Sequence, residues 1–300
     1  MNYLFKYFSL PLSFIFTIST QSVIAQSITL YCIPPPHKIN WQNPHTLLMS
    51  TVKDYISKKH NEPLRPLGHI MIELKKDSSY TLTGMSPKHK DDLKKPVLKD
   101  REGLAILFHV IEGQLEETEK IKSELAYRMQ TGKAAFITFN INDSAYEYLK
   151  LYLESFKARG YDKMYNGTNE PRLGKGSGCS AFAVSFLELI NALLPEYNQN
   201  WTIKVHVPDK LIGGESTGIK ISLLRLFFSF RWAKNKEPYT PLVLYDPYLI
   251  YQWINTIWNK EQNDSAGIYK LKKIENAKGL EIQCYKCMPQ LPMFKVETLK

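Results

Sequence analysis

Gly174–Leu189 reads GKGSGCSAFAVSFLEL, a glycine-rich loop that runs straight into an apolar helix with Cys179 at the junction. A thiol at a helix N-terminus meets unpaired backbone N–H groups and the positive end of the helix dipole, and both favour the nucleophilic thiolate. Cys179 is therefore the first candidate for chemistry. The loop is not a phosphate cradle, because Gly174-Lys175-Gly176 lacks the GxxxxGK[ST] spacing, and Gly176-Ser177-Gly178 is not a GxSxG elbow.

A cysteine nucleophile needs a base within hydrogen-bond reach, and the base works best when a third group orients it. Leu67–Leu74, LGHIMIEL, supplies a base on a strand pattern. Ile70, Ile72 and Leu74 fall on one face, and His69, Met71 and Glu73 on the other. Tyr80–Thr83 reads as the hairpin partner, closed by Gly84. The six other histidines sit in proline-rich, charged or apolar contexts with no carboxylate on a shared strand face. Glu73 shares the His69 face but lies about 13 Å along a straight strand, so Thr81 or Thr83 of the second strand is expected to orient the ring, with Glu73 as the weaker candidate. The candidate site is thus Cys179 as nucleophile, His69 as base, and Thr81 or Glu73 as the third member. Each residue alone has a plainer reading: a cysteine among Ala, Phe and Val can be a small buried hydrophobe, and a strand histidine can be structural.

The order of the pieces narrows the fold. Ala134–Ile141 is a strand pattern, and Asn142 offers N-cap chemistry to an amphipathic helix from Ala145 to Ala158, stopped by Gly160. Tyr148, Leu149, Leu151, Tyr152, Leu153 and Phe156 form its apolar face. A loop bearing Tyr165 follows, and then the cysteine helix. This order, with Gly68-His69-Ile70-Met71-Ile72 before Gly178-Cys179-Ser180-Ala181-Phe182-Ala183, resembles the circularly permuted NlpC/P60 group of the papain-like fold, which includes LRAT-like acyltransferases and YiiX/YaeF-type hydrolases. The resemblance covers Leu67 to Leu194. It implies a papain-like core, a Cys-His acyl-enzyme, and a third polar residue about a dozen positions after the histidine, where this chain has Thr81. Peptide, cell-wall amide and lipid acyl substrates are all implied.

The remainder of the chain bounds the setting. With 300 residues, 44% hydrophobic and 23% charged, the composition is that of a globular protein. Lys6 is the only charge in the first 25 residues, Leu10–Ile18 is mostly apolar and Val23-Ile24-Ala25 resembles a cleavage site, so residues 1–25 read as a secretory signal peptide, with an uncleaved anchor as the alternative. A secreted or periplasmic protein is expected. The net charge of +10 is spread over nearly every segment with no basic helix or zinc-finger spacing, which argues against nucleic acid and for a lysine-rich surface able to meet an anionic envelope surface peripherally. No cofactor or metal is expected. Cys284-Tyr285-Lys286-Cys287 lacks a βαβ context and a second CxxC, so a structural disulfide, internal or to Cys32, is favoured over redox or metal function.

Of the other segments, Ser27–Ile33 followed by three prolines reads as a strand-like strap outside the core, and Pro44–Lys59 as a helix with Leu47, Leu48, Val52, Tyr55 and Ile56 on one face. Asp92–Asp100 reads as an exposed loop, Leu104–Ile111 as a buried strand, and Leu115–Met129 as a helix. Beyond Leu194, Trp201–Val207, Lys220–Phe230, Pro241–Tyr245, Tyr269–Ile274 and Leu280–Gln283 read as strands. Tyr248–Trp258 reads as an aromatic helix, either packed or presenting a sugar- or lipid-facing patch. The expected fold class is α+β: a papain-like core of antiparallel sheet packed on helices, with a strand-rich C-terminal extension. The organisation expected is a leader (1–25), a strap and helix (26–66), the core (67–194) and an extension (195–300) that completes or covers it. The function expected is an exported thiol hydrolase of amide or ester bonds. An acyltransferase of the same fold and a non-catalytic envelope protein are the alternatives.

Overall fold

The computed structural model describes residues 26–56, 65–89, 100–167, 170–214, 217–262 and 267–296. The leader and nearly all of the Asp92–Asp100 loop lie outside the described residues. The strands are β1 Gln26–Ile33, β2 His69–Lys76, β3 Ser79–Thr83, β4 Met85–Pro87, β5 Ile111–Leu115, β6 Ala135–Ile141, β7 Met164–Tyr165, β8 Thr202–Pro208, β9 Tyr239–Tyr245, β10 Lys270–Ile274 and β11 Ala277–Cys284. The helices are α1 Pro44–Ile56, α2 Thr118–Gln130, α3 Asp143–Ala158, α4 Cys179–Leu189, α5 Pro195–Trp201, α6 Leu223–Phe227 and α7 Pro247–Glu261. The class is α+β as expected.

Six strands form the main sheet in the order β10-β11-β6-β1-β2-β3. The sheet is mixed, not antiparallel throughout, because β11 runs parallel to β6. β1 is no strap outside the core: it pairs with β2 on one side and β6 on the other, at the centre of the sheet. Its prolines mark where the chain leaves the sheet, and its near-continuous apolar run is what a strand covered on both faces requires. Ile28, Leu30 and Cys32 face one core cluster, together with Ile70, Ile72 and Leu74 of β2. Tyr31 and Ile33 face the other, with Met71.

Helices cover both faces. On the first, α3 contributes Leu149, Tyr152 and Phe156, α4 contributes Phe182 and Phe186, and α7 contributes Ile250, Trp253 and Ile254. The aromatic C-terminal helix is thus largely core. On the second face, α2 presents Ile121, Leu125 and Met129 to Tyr31, Met71 and Phe136. Burying each such side chain fully is worth about 1.5–3 kcal/mol, which is what holds these layers on the sheet. The capping at Asn142 is as read, its Oδ1 accepting from the Ala145 N–H at 2.8 Å, while its Nδ2 donates to the carbonyls of Tyr285 and Cys287. On α3, Leu151 is exposed and Tyr146 takes part in the buried face instead.

Two strand expectations fail for identifiable reasons. Leu104–Leu107 is a single 3-10 turn introduced by Gly103 at φ 63°, and the strand β5 begins only at Ile111. Its apolar run reflects burial of Leu104 and the lining of a cavity rather than a sheet position. Within Lys220–Phe230, Ser222 caps the short helix α6, its Oγ accepting from the Arg225 N–H at 3.2 Å. Cys284 and Cys287 form the disulfide, and Cys32 is a buried free thiol.

Candidate active site

Cys179 is the first residue of α4, preceded by Gly178 in extended conformation at the N-cap. Its side chain is nearly buried, beside the His69 ring and the start of β2, and Ser180 Oγ lies 3.9 Å from the sulfur. His69 opens β2, immediately after Gly68. Gly68 has φ +75°, and a Cβ there would sit 2.9 Å from Pro247 Cβ and 3.0 Å from Ile33 O, so only glycine allows the chain to turn into the strand at this point. The two residues expected to act together are brought together.

The third member is Glu116. His69 Nε2 donates to Glu116 Oε2 at 2.6 Å, which leaves Nδ1 to the thiol. Glu116 follows β5 and is fixed through its backbone: its N–H donates to Gly84 O at 2.9 Å, and Thr83 Oγ1 donates to its carbonyl at 2.7 Å. Arg65 holds the carboxylate from the other side, with Nη2 at 2.8 Å from Glu116 Oε1, while also bridging to Glu124. Gly84 makes room for the pair. A Cβ there would lie 3.0 Å from Glu116 Oε2 and Ile70 O and 3.1 Å from His69 Nε2.

Neither expected orienter reaches the ring. Thr81 is exposed and sits opposite Leu74, five residues along β2 from His69 and so roughly 16 Å away. Glu73 instead accepts from Tyr31 Oη at 3.4 Å. Thr83, the alternative on the same strand, contributes indirectly by holding the Glu116 backbone. Glu116 was hidden because Leu115–Met129 has helical spacing. The signal that exposes it is the alternation of IEGQLE, which puts Glu112, Gln114 and Glu116 on one side of a strand.

The electrostatics follow from this geometry. Burial pulls the His69 imidazolium down, but the Glu116 carboxylate and the bond to Cys179 outweigh it and raise the ring to about 9. Burial would raise Glu116, yet the imidazolium and the Arg65 guanidinium hold it down at about 2. Burial also raises the Cys179 thiol, and the His69 hydrogen bond and charge reverse this and lower it. These shifts favour a thiolate–imidazolium pair anchored by a carboxylate. Tyr165, half-buried in the same cavity, keeps its phenol proton, raised by desolvation and by the Cys179 charge.

The sulfur opens onto a cavity of about 520 Å³, whose lining includes Leu48, Tyr55, Leu107, Ile111, Tyr165 and Leu244. The volume is that of a small-molecule site. No family model, curated protein or solved structure matches the chain. The chemistry is therefore argued from the site alone. It offers a charged nucleophile, a ring able to give and take a proton, and backbone N–H groups at a helix start.

Proposed function

We infer that the protein is a thiol hydrolase of the papain-like type, acting on an ester or amide through an acyl-enzyme. The observation that carries this reading is the His69 ring held between the Cys179 sulfur and Glu116, the latter at 2.6 Å. A merely buried cysteine has no use for an ion pair and a clamped carboxylate, since burial alone disfavours all three charges.

The thiolate attacks the substrate carbonyl, and a C–S bond forms as the carbonyl π pair moves onto oxygen. The Cys179 backbone N–H, at the first position of α4 where no intrahelical carbonyl accepts from it, meets that oxyanion. The tetrahedral intermediate collapses, and the departing alcohol or amine takes the proton from His69. Neutral His69 then takes a proton from water as the water oxygen attacks the thioester. The acid product leaves, and the electron pair returns to sulfur as thiolate beside the imidazolium. Glu116 keeps the ring oriented throughout and stabilises its charged form.

The permuted papain-like core fits this reading, because the histidine strand precedes the cysteine helix in the chain and α4 packs against β2. Export fits the Cys284–Cys287 disulfide, which belongs in an oxidising compartment. The test is intact mass after brief exposure to an activated ester, which is expected to show one acyl group on Cys179 that is lost to water and does not form in Cys179→Ala. Partition of the acyl group to an added amine in preference to water would assign a transferase instead. Absence of any acyl adduct with esters of every size would refute the reading.

A further inference from the structure

The cavity that opens on Cys179 says what kind of acyl group it is built for. Its walls are mostly aliphatic and aromatic, with the hydroxyls of Thr51, Tyr55, Tyr165 and Ser180 as scattered polar points; of its charged or ring side chains, His109 Nδ1 bonds Glu102 at 3.0 Å, while Asp246 accepts from Trp41 Nε1 at 2.9 Å and caps α7. A peptide or a cell-wall sugar placed here would bury more N–H, C=O and hydroxyl groups than these few hydroxyls can partner, at about 1–3 kcal/mol for each one left over. An aliphatic chain loses nothing polar on entering and gains with every buried methylene.

A second observation concerns the cavity mouth. On α1, His45, Met49, Val52 and Ile56 recur at i, i+4, i+7 and i+11, the spacing of one helix face. That stripe begins against α6, where the His45 ring packs 4.7 Å from Phe227 and 5.0 Å from Phe230, and it ends at Val52 and Ile56, which line the cavity. The stripe and the α6 segment beside it are unusually bare: Ile56 is 69% exposed, Leu224 66%, Phe228 63% and Phe230 61%. The segment from Ile219 to Glu237 that carries the α6 aromatics has five cations, Lys220, Arg225, Arg231, Lys234 and Lys236, against the single carboxylate of Glu237. Bare aromatic and aliphatic side chains interspersed with an excess of cations are complementary to an anionic bilayer surface.

Building on the thiol-hydrolase reading, we propose that the substrate is the long aliphatic acyl ester or amide of a membrane lipid, drawn into the Cys179 cavity from an anionic bilayer on which the α1–α6 stripe rests. The bond broken is the one that joins the acyl carbonyl to its oxygen or nitrogen, and water supplies the incoming oxygen and the proton for the leaving group.

The experiment has two arms on the full chain. In the first, acetyl, octanoyl and dodecanoyl p-nitrophenyl esters are compared, below their micellar concentrations, for the rate of Cys179 acylation read by intact mass. The dodecanoyl ester is expected to react at least tenfold faster than the acetyl, and Val52→Asp is expected to reduce that ratio at least fivefold. An acetyl ester that reacts as fast as the dodecanoyl overturns the acyl-chain assignment and leaves the thiol hydrolase standing. No acylation by any ester overturns both. Binding of a fluorescent sixteen-carbon fatty acid to Cys179→Ala, weakened at least fivefold by Val52→Asp, checks the cavity without catalysis.

In the second arm, hydrolysis of a lipid ester in phosphatidylcholine vesicles with and without 30% phosphatidylglycerol is divided by the rate on soluble octanoyl ester. The ratio is expected to rise at least fivefold with the anionic lipid and to fall about tenfold in the Phe228→Asp/Phe230→Asp double variant. A ratio indifferent to both changes overturns the bilayer. So does a doubled mass by light scattering that the double variant abolishes, which would give the stripe to a second copy of the chain.

Discussion

Replacing Glu116 by glutamine removes one charge and leaves the shape of the site intact. His69 ordinarily titrates at 6.5, and in this site, despite burial, it is raised to about 9. That difference corresponds to roughly 3 kcal/mol in favour of the imidazolium. Most of it disappears in Glu116→Gln, because an amide oxygen can still accept from Nε2 but carries no charge, and the Arg65 cation nearby then disfavours the ring cation without the Glu116 charge between them. The ion pair with Cys179 collapses at pH 6, and alkylation of Cys179 by iodoacetamide is expected to slow about 10- to 100-fold, within the range that energy allows. The assay reports one site. Cys284 and Cys287 are bonded to each other, and burial pushes the Cys32 thiol well above its usual range. Rates are followed by mass from pH 5 to 9, with circular dichroism to establish that the variant is folded. A folded Glu116→Gln protein that reacts within twofold of the native chain at pH 6 would refute the role given to the carboxylate.

Further predictions rest on the same residues. In the native chain, the proton affinity gained by His69 is opposed by the affinity lost from Cys179, so the two shifts partly cancel in the pH dependence of stability between pH 6.5 and about 9. Cys179→Ala removes the compensation: the His69–Glu116 contribution is then full below pH 6.5 and is lost as pH rises through the ring's folded value, which without the Cys179 bond lies below the native value of about 9, so its Tm is expected to drop above pH 6.5 relative to the native protein, and parallel curves would contradict the pairing. On the acid side, Glu116 contributes fully above 4.5 and loses its contribution as pH falls toward about 2, so the native Tm should decline there, and less so in Glu116→Gln. Gly84→Ala forces a methyl into the His69–Glu116 contact and is expected to lower the pH 6 alkylation rate at least tenfold in a folded protein; an unchanged rate would show that the contact yields without consequence. Asn142→Ala loses a helix cap and the donors to the Tyr285 and Cys287 carbonyls, and is expected to cost about 2 kcal/mol by urea unfolding, with no change in Cys179 reactivity.

What the sequence makes legible here is local chemistry whose signal lies in adjacent residues. Cys179 at the mouth of an apolar helix, His69 on an alternating strand, and Asn142 as a cap each depend on a few neighbours, and each is where the pattern puts it. What it hides depends on partners far away in the chain. β1 reads as a strap because its prolines are adjacent, whereas its central position comes from β2 and β6, some forty and one hundred residues on. The parallel approach of β11 to β6 has no local mark at all. Glu116 stands 47 residues from His69 and borders a helix whose spacing absorbs it, so the hydrogen bond that completes the site is visible only once β5 is laid beside β4. The α6 segment differs for the opposite reason: a run of Leu and Phe looks like a strand unless the Ser222 cap is given weight, and while Ile221 and Leu226 point into a core cluster, Leu224, Phe228 and Phe230 face outward.

The central claim is that Cys179 exists as a thiolate paired with the His69 imidazolium. The pH profile of its alkylation in the native chain and in His69→Ala tests that claim most directly. The native protein is expected to remain fast at pH values below the usual thiol range, while His69→Ala follows an ordinary buried thiol and is at least tenfold slower at pH 6. Profiles that coincide, both rising only as pH approaches 9, would contradict the ion pair and with it the catalytic reading of the site.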